Sequence, residues 1–232
     1  MQNFDHEIIK TYNERFKKRD LYLPTISSNL IAKQQLTFHL ALAISKYYKK
    51  YDFSHLKLID FGSGNGSKTN IFISLGFKPS NLTCIEIHPE LAKEAIDCLP
   101  KKVTIENLPI SEYVKKDKDG FDIAFQSMAL SSINNLNILK ESCNSIANSI
   151  KVNGLFISYD FIIKNPRNKK VIQISEKILK NYFPKFELIK SIPLTLAPPV
   201  SRKLDLFSPR LIPVLSVLRL LNTHRLIILK KK

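Results

Sequence analysis

Residues 60–69 read Asp-Phe-Gly-Ser-Gly-Asn-Gly-Ser-Lys-Thr, and this glycine-rich stretch decides the fold class. It ends an apolar run, residues 57–61, that is typical of a buried strand, and it leads into a helical pattern. Glycines at alternate positions let the backbone approach a ligand closely, while the following helix presents its first N–H groups. The stretch therefore predicts a strand, a ligand-binding loop and a helix in succession.

Further strand-like runs alternate with helical patterns along the chain. After the first run, we predict strands at residues 82–87, 102–105, 121–126, 154–161, 186–192 and 225–230. Residues 89–99 and 136–150 carry apolar side chains at the spacing of one helix face. This alternation predicts an α/β fold, with a mostly parallel sheet and helices on both of its faces.

The length of 232 residues, 44% of them hydrophobic, suits a single domain overall. We predict helices in residues 1–50 that pack on the core, and a ligand-binding domain over residues 51–232. The sequence begins with polar residues, and no apolar run reaches the roughly 18 residues of a membrane span. Three cysteines without paired spacing favour a reducing compartment. We expect a cytoplasmic protein, with the inner face of a membrane as an alternative location.

The chain is strongly basic, with 36 Lys and Arg against 20 Asp and Glu and a net charge of +16. Such a charge attracts nucleic acid, an anionic membrane surface or a phosphorylated substrate. The basic residues are scattered in pairs, however, and no window alternates them with aromatic residues. We therefore expect no specific nucleic-acid partner, while a generic basic surface and attraction to an anionic partner both stay open.

Two phosphate-containing ligands fit the glycine loop incompletely. A dinucleotide fingerprint needs glycine where Ser67 stands, and the Asp60 carboxylate would repel a pyrophosphate. A nucleoside triphosphate would suit the length of residues 62–69, which end in Lys and Thr as a P-loop does. Ser67 again replaces a required glycine, and the triphosphate explains neither Asp60 nor a second acid, Glu86.

A third ligand, S-adenosylmethionine, suits both acids. Its ammonium and sulfonium groups are cationic, so the Asp60 carboxylate beside the loop attracts them. Its ribose diol needs a double acceptor after the next strand, where Glu86 stands 86 − 66 = 20 residues beyond Gly66. That distance is the one expected within a βαβ unit. One arrangement therefore explains both carboxylates.

Over residues 57–161 the chain resembles the class I S-adenosylmethionine-dependent methyltransferases, through its acid, alternating glycines and Glu86. The resemblance implies a Rossmann-like fold of seven strands with an antiparallel last strand. It also implies that Asn107 meets the adenine amine and that Gln126 lies where methionine and substrate meet. The expected cofactor-binding residues are Asp60, Gly62, Ser63, Gly64, Gly66, Glu86, Ile87, Asn107 and Gln126.

The resemblance also places the connection before the last strand across the ligand edge of the sheet. We therefore expect residues 194–224, which begin with a Pro-rich turn at 196–202, to form a lid. Arg202 would bind an anionic group of the acceptor, and Asp160 and His224 would act as acid or base. Only Asp160 is in reach of a metal position, so no metal is expected. The many apolar residues of the lid either pack on the domain or contact an apolar partner.

Four tail segments resemble standalone methyltransferases that are encoded among polysaccharide-biosynthesis enzymes: residues 159–161, Asn165-Pro166, residues 197–202 and residues 219–224. This resemblance implies O-methylation of a small-molecule, sugar or lipid-linked glycan acceptor. Two alternatives stay open. The chain would otherwise be a P-loop-like nucleotide-binding protein, or a non-catalytic basic binding module of the same fold.

Overall fold

The computed structural model describes Ile9, Asn13 and residues 19–114, 120–163, 171–219 and 221–232. Most of the helical region predicted before residue 19 lies outside the described residues, and so does Asn165-Pro166. Ile9 and Asn13 are helical, and the first element with described bounds is a short 3-10 helix, Arg19–Tyr22.

A seven-stranded sheet forms the centre of the described structure, in the order β3-β2-β1-β4-β5-β7-β6. Its strands are β1 Leu58–Phe61, β2 Leu82–Ile85, β3 Thr104–Glu106, β4 Phe121–Ser127, β5 Ile150–Phe161, β6 Phe186–Leu196 and β7 Asn222–Lys231. β1 to β5 pair in parallel, whereas β7 is antiparallel to both β5 and β6. The predicted α/β class, the mostly parallel sheet and the antiparallel last strand are confirmed.

Helices cover both faces of this sheet. They are α1 Ser27–Tyr48, α2 Thr69–Ser74, α3 Pro89–Cys98, α4 Leu136–Ser149, α5 Glu176–Tyr182, α6 Pro198–Phe207 and α7 Leu211–Leu218. Side chains alternate along the strands, so that Ile123 and Phe125 join one buried cluster and Ala124 joins the other. α1, α2 and α3 pack into the first cluster, and α4 and α5 pack into the second.

Helix α1 contributes Leu36, Leu40 and Ile44 to the core. Its C-terminal end is fixed by Tyr48, whose hydroxyl donates to the Asp122 carbonyl at 2.9 Å. Of the helices in the described ranges, none combines the length and the apolarity that crossing a bilayer requires.

The tail differs from the prediction in its secondary structure. β6 continues to Leu196, and the stretch that was predicted as a Pro-rich turn is the start of helix α6. Proline suits the first position of a helix, because that position needs no N–H donor and the ring fixes φ near its helical value. β5 begins at Ile150 rather than residue 154. Its pairing with β4 is irregular between Ile150 and Leu155, where Asn153 has a φ of 63°.

Candidate functional site

The candidate site lies at the carboxyl edge of β1, β2 and β4. β1 stands between β2 and β4 in the sheet, so the strand order reverses beside it. Open α/β sheets bind ligands at such a reversal, outside the carboxyl ends of the strands. Asp60 lies near the end of β1, Glu86 directly follows β2, and Gln126 lies near the end of β4. The fold thus brings the sequence-predicted cofactor residues to one edge.

The glycine loop is closely packed at two of its glycines and open at the third. A Cβ on Gly62 would lie 2.4 Å from Ala129 Cβ, and a Cβ on Gly66 would lie 2.6 Å from Leu99 Cδ1. A Cβ on Gly64 would meet nothing within 4 Å. All three have positive φ, at 70°, 57° and 78° along the chain, which favours glycine. The loop therefore presents open backbone at Gly64.

The loop is also fixed by its hydrogen bonds to β2. The Gly62 and Ser63 N–H groups donate to the Ile85 carbonyl at 2.8 and 3.1 Å. Ser63 is buried, and its carbonyl accepts from the Gly66 N–H at 3.0 Å. These bonds hold the backbone of the loop in place before any ligand arrives.

Asp60 is a buried carboxylate with one satisfied oxygen. Its side chain is 1% exposed, and Oδ2 accepts from the Thr69 hydroxyl at 2.7 Å. Oδ1 is buried and has no hydrogen-bond partner among the described residues. Burial raises the pKa of Asp60 to about 7, and the nearby Glu86 also raises it. A buried acceptor without a donor is unfavourable, so the site fits a ligand that supplies a cationic donor here.

Glu86 is buried as well, and its carboxylate is held by the loops around it. Oε2 accepts from the Gly64 N–H at 2.7 Å, and Oε1 accepts from the His88 N–H at 2.9 Å. Burial raises the pKa of Glu86, while these backbone N–H groups lower it. Each carboxylate oxygen keeps further acceptor capacity, so a ligand diol can still donate to it. Glu86 therefore joins the glycine loop to the loop after β2.

Asn107 follows β3 and supports the same region. Its Nδ2 donates to the carbonyls of Glu86 and Ile87, at 2.7 and 3.1 Å. Within the described ranges, no residue donates a hydrogen bond to Asn107 Oδ1, and the side chain is exposed. Ile87 is half-buried beside it. Together the two residues offer an amide acceptor and an apolar surface, which suits an aromatic base that carries an amine.

Gln126 and Asp160 belong to one buried hydrogen-bond network. Gln126 is 0% exposed, and its Nε2 donates to Ser158 Oγ at 2.6 Å and Asp160 Oδ2 at 3.1 Å. Its Oε1 accepts from the N–H groups of Ala129 and Leu130 at 2.9 and 3.3 Å. These bonds let Gln126 support the loop after β4. Its expected contact with the cofactor stays a prediction.

Asp160 is equally enclosed. It is 1% exposed, its Oδ1 accepts from the Phe161 N–H at 2.8 Å, and its Oδ2 also accepts from the Ser131 N–H at 3.2 Å. Burial raises the pKa of Asp160 to about 6, although these hydrogen bonds oppose the rise. Its expected role as an acid or base stays a prediction. No cluster of His, Cys, Asp and Glu that could hold a metal ion occurs among the described residues.

His224 lies at the start of β7, opposite Phe161 in the antiparallel pairing. It is 4% exposed and packs between the rings of Tyr159, at 5.3 Å, and Phe161, at 4.1 Å. Burial lowers the pKa of His224 to about 4, and the positive charge of Lys68 lowers it further. The imidazole is therefore neutral near pH 7.

Two further polar side chains, Lys68 and Ser127, belong to the loop and strand ends at this edge. Lys68 is half-buried where the glycine loop enters α2, and its pKa is lowered by burial and by Lys33. Ser127, the last residue of β4, has a buried hydroxyl without a partner in the described part of the chain. The signal for Lys68 was present in the sequence, but it pointed only to a phosphate ligand.

Arg202 stands apart from these side chains. It is exposed on α6, and no hydrogen bond or ion pair joins it to another described residue. β7 begins opposite the end of β5, so the connection that carries α6 and α7 emerges at the carboxyl edge of the sheet. Arg202 is thus on the connection that reaches the ligand edge.

No protein-family model matches this chain, and no curated protein matches its sequence significantly. Many solved structures do match its fold. The magnesium protoporphyrin IX methyltransferase of Synechocystis PCC 6803, solved with bound SAM, is 12% identical, with a TM-score of 0.64. That match covers 98% of this chain and 97% of the other.

Two further structures show how widely this fold is used. A mitomycin 7-O-methyltransferase matches with 16% identity and a TM-score of 0.55, over 83% of this chain and 54% of its own. The chain thus spans about half the length of that protein. The 4+2 cyclase SpnF matches with 13% identity and a TM-score of 0.59, over 83% and 80% of the two chains. At these identities the likeness establishes the Rossmann-like methyltransferase fold.

Proposed function

We propose that this protein is an S-adenosylmethionine-dependent methyltransferase that acts on a small-molecule, sugar or lipid-linked glycan acceptor. The observation that carries the proposal is the buried Asp60 oxygen without a donor, beside a glycine loop that is open at Gly64. The ammonium group of the methionine moiety would supply the missing donor and a compensating positive charge.

A phosphate ligand would leave this carboxylate unexplained. The negative charge of Asp60 would repel a pyrophosphate or triphosphate at the start of α2. In a P-loop, the hydroxyl at the position of Thr69 binds a magnesium ion. Here that hydroxyl is 0% exposed and donates to Asp60 instead. The P-loop-like alternative therefore has less support than the cationic cofactor.

The remaining cofactor contacts follow from the same edge of the sheet. The Glu86 carboxylate would accept hydrogen bonds from the ribose hydroxyls, since its two oxygens keep acceptor capacity beyond the N–H groups of Gly64 and His88. Asn107 Oδ1 would accept from the adenine amine, and Ile87 would pack against the base. The Gly64 backbone would approach the cofactor closely, because no side chain fills that space.

When bound, S-adenosylmethionine supplies a methyl group on a sulfonium sulfur, which is already an activated leaving group. The protein then has to orient the acceptor and exclude water. The neutral His224 imidazole would accept a hydrogen bond from an acceptor hydroxyl and orient its oxygen. The Lys68 ammonium, close enough to lower the pKa of His224, would favour negative charge on that oxygen.

The acceptor class is inferred from the lid and from related structures. A hydroxyl acceptor agrees with the 7-O-methyltransferase among the structural matches, which by its name transfers methyl to oxygen. The tail resemblance to polysaccharide-associated methyltransferases favours a sugar or lipid-linked glycan. Arg202 on α6 would bind an anionic group of such an acceptor.

Calorimetry with S-adenosylmethionine, S-adenosylhomocysteine and ATP with magnesium, side by side, tests the cofactor. We expect both adenosyl ligands to bind and ATP to give no signal. Tight ATP binding without any S-adenosylhomocysteine signal would favour the P-loop-like protein, and binding of none of the three would favour the non-catalytic module.

Cofactor binding does not by itself establish methyl transfer, because one structural match is named as a cyclase. A second assay therefore follows the labelled methyl group of S-adenosylmethionine into sugars, phosphorylated sugars and lipid-linked glycans. We expect label to enter an acceptor of one of these classes. Cofactor binding without transfer to any of them would leave the fold and cofactor intact but contradict the proposed reaction.

A further inference from the structure

The connection between β6 and β7 exposes an unusual number of large apolar side chains. The most exposed are Leu206 at 80%, Phe207 at 84% and Val217 at 74%. Others on the same two helices and just after them are Leu211, Val214, Leu218 and Leu221. We call these seven side chains the apolar lid face. In α7 only Ile212 and Ser216 are buried, so the helix is apolar in sequence but mostly uncovered.

The connection that bears this face is held to the rest of the protein at its base and along α6. The Ala197 N–H donates to the Leu221 carbonyl at 2.8 Å, which closes the base of the connection. Asp205 on α6 accepts from the Ser28 N–H at 2.7 Å and from the Ser28 hydroxyl. The apolar side chains therefore project from an anchored helical hairpin.

The cations on this hairpin have no exposed acidic counterpart. Arg202, Lys203, Arg210 and Arg219 are all exposed. Asp205 is the one acid in residues 198–219, and it is half-buried against α1. The hairpin thus combines the apolar lid face with four positive charges. This combination is typical of helices that lie in the interface of an anionic membrane.

We propose that the apolar lid face docks on the surface of an anionic lipid bilayer. Its apolar side chains would enter the boundary of the acyl chains, and its cations would meet the lipid headgroups. A second copy of this chain is a poorer partner, because self-association through this face would bring the same four cations together. The net charge of +16 adds a general attraction to the same surface.

Docking in this way would turn the carboxyl edge of the sheet towards the bilayer, because the hairpin emerges at that edge. An amphiphilic acceptor could then reach the site without leaving the membrane. The docking itself does not depend on the proposed methyl transfer, so vesicle binding and cofactor binding can be tested separately.

Co-sedimentation with vesicles tests the apolar part of the proposal. The vesicles are pure phosphatidylcholine, or phosphatidylcholine with roughly one third phosphatidylglycerol to supply negative charge. We expect binding to the anionic vesicles only, and at least a tenfold weaker partition for Leu206→Ser/Phe207→Ser. The control is Tyr51→Ser/Val152→Ser, which removes two side chains that are 93% and 67% exposed outside the hairpin. Equal binding of the two double variants would overturn the proposal.

Charge variants test the electrostatic part. Lys203→Gln/Arg210→Gln should weaken binding to the anionic vesicles at least tenfold, and the binding of the unaltered protein should fall as salt rises. The control Lys101→Gln/Lys102→Gln removes two exposed charges from the turn before β3 and should have a much smaller effect. Equal effects of both pairs would show only general attraction and would overturn a dedicated docking face.

Analytical ultracentrifugation separates the lipid partner from a second copy. We expect a monomer over the concentrations used, whether or not Leu206 and Phe207 are replaced. A concentration-dependent dimer that Leu206→Ser/Phe207→Ser abolishes would show that this face joins two copies, and it would overturn the membrane proposal. Unchanged melting of each variant confirms that the substitutions act on the surface and not on folding.

Discussion

The Thr69 hydroxyl donates to one oxygen of Asp60 at 2.7 Å and leaves the other oxygen of that buried carboxylate without a partner among the described residues. The bond joins the first residue of α2 to β1 across the glycine loop. It therefore fixes the orientation of the carboxylate in the absence of any ligand. The unpartnered oxygen would favour a ligand that brings a cationic donor to the loop.

Replacing Asp60 tests this preference directly. In Asp60→Asn the charge is lost while the shape is kept, so cofactor affinity should fall by about 1.5–3 kcal/mol, the usual value of a charged hydrogen bond. Folding at pH 8 should not be weakened, because a buried charge is removed. Calorimetry and thermal melting measure the two effects. Asp97→Asn, which removes an exposed charge on α3, is the control and should change neither.

The affinity for the cofactor should change with pH as the Asp60 carboxyl group ionises. Because its pKa is raised to about 7, the carboxylate is increasingly ionised from pH 6 to pH 8. Affinity for the cationic cofactor should rise over this interval, by at most tenfold per unit, with release of a proton. Calorimetry in buffers of different ionisation enthalpy detects that proton. A pH-independent affinity, or an equal slope in Asp60→Asn, would contradict the assignment.

The raised pKa of Asp60 also predicts how the free energy of unfolding changes with pH when no cofactor is bound. A pKa raised from 3.8 to about 7 means that the folded state holds a proton that the unfolded chain has released. The contribution of Asp60 to stability is therefore complete below about pH 4 and is lost as pH rises through 7. Urea unfolding at several pH values should show this loss, and Asp60→Asn should reduce it.

We expect Glu86 both to bind the ribose of the cofactor and to hold the glycine loop to the loop after β2. Replacing it by Gln weakens two backbone hydrogen bonds, so we expect lower melting as well as about 1.5–3 kcal/mol weaker cofactor binding. An analogue of S-adenosylhomocysteine without ribose hydroxyls separates the two effects. If Glu86 binds the diol, Glu86→Gln should weaken S-adenosylhomocysteine far more than this analogue. Equal losses for both ligands would assign Glu86 to loop support alone.

The sequence predicted the sheet well because strands buried on both faces leave continuous apolar runs that glycines and turns interrupt. It also located Asp60 and Glu86, since each stands at a strand end in a βαβ unit. The network of Gln126 could not be predicted in this way. It depends on the register that pairs Gln126 with Ser158 across β4 and β5, and on a buried Asp160 two residues further on.

The two helices of the lid were missed for a different reason. Pro198-Pro199 was read as a turn, although proline is also favourable in the first turn of a helix. The sequence also left open how many apolar residues of α6 and α7 stay exposed. Packing or a lipid partner fits the same amino-acid pattern, and only the positions of α6 and α7 distinguish buried Ile212 from exposed Phe207.

Substitutions on the acceptor side of the site should lower turnover without changing cofactor affinity. We expect His224→Phe, which keeps the ring between Tyr159 and Phe161, to bind the cofactor normally but to lower turnover at least tenfold. Arg202→Ala should also leave cofactor affinity unchanged and lower turnover of an anionic acceptor. The control is Lys101→Ala, which removes an exposed charge outside α6 and α7. Full activity of His224→Phe would exclude the imidazole from orienting the acceptor oxygen.

Two glycines of the loop can be compared by replacing each with alanine, because one substitution should lower stability and the other should lower cofactor affinity. An added methyl group on Gly66 meets Leu99 at 2.6 Å, so Gly66→Ala should lower the free energy of unfolding by about 1–3 kcal/mol. Gly64→Ala meets nothing within 4 Å, and its backbone strain should cost only about 1 kcal/mol. Its methyl group would nevertheless occupy the space proposed for the cofactor.

Urea unfolding and calorimetry on the two variants distinguish packing from binding. We expect Gly64→Ala to remain folded and to lose cofactor affinity at least tenfold. We expect Gly66→Ala to lose stability, and the double variant with Leu99→Ala to be less destabilised than the sum of the single variants. Because the two glycines lie two residues apart in one loop, opposite outcomes would locate the cofactor at Gly64. Normal cofactor binding by folded Gly64→Ala would place the ligand elsewhere.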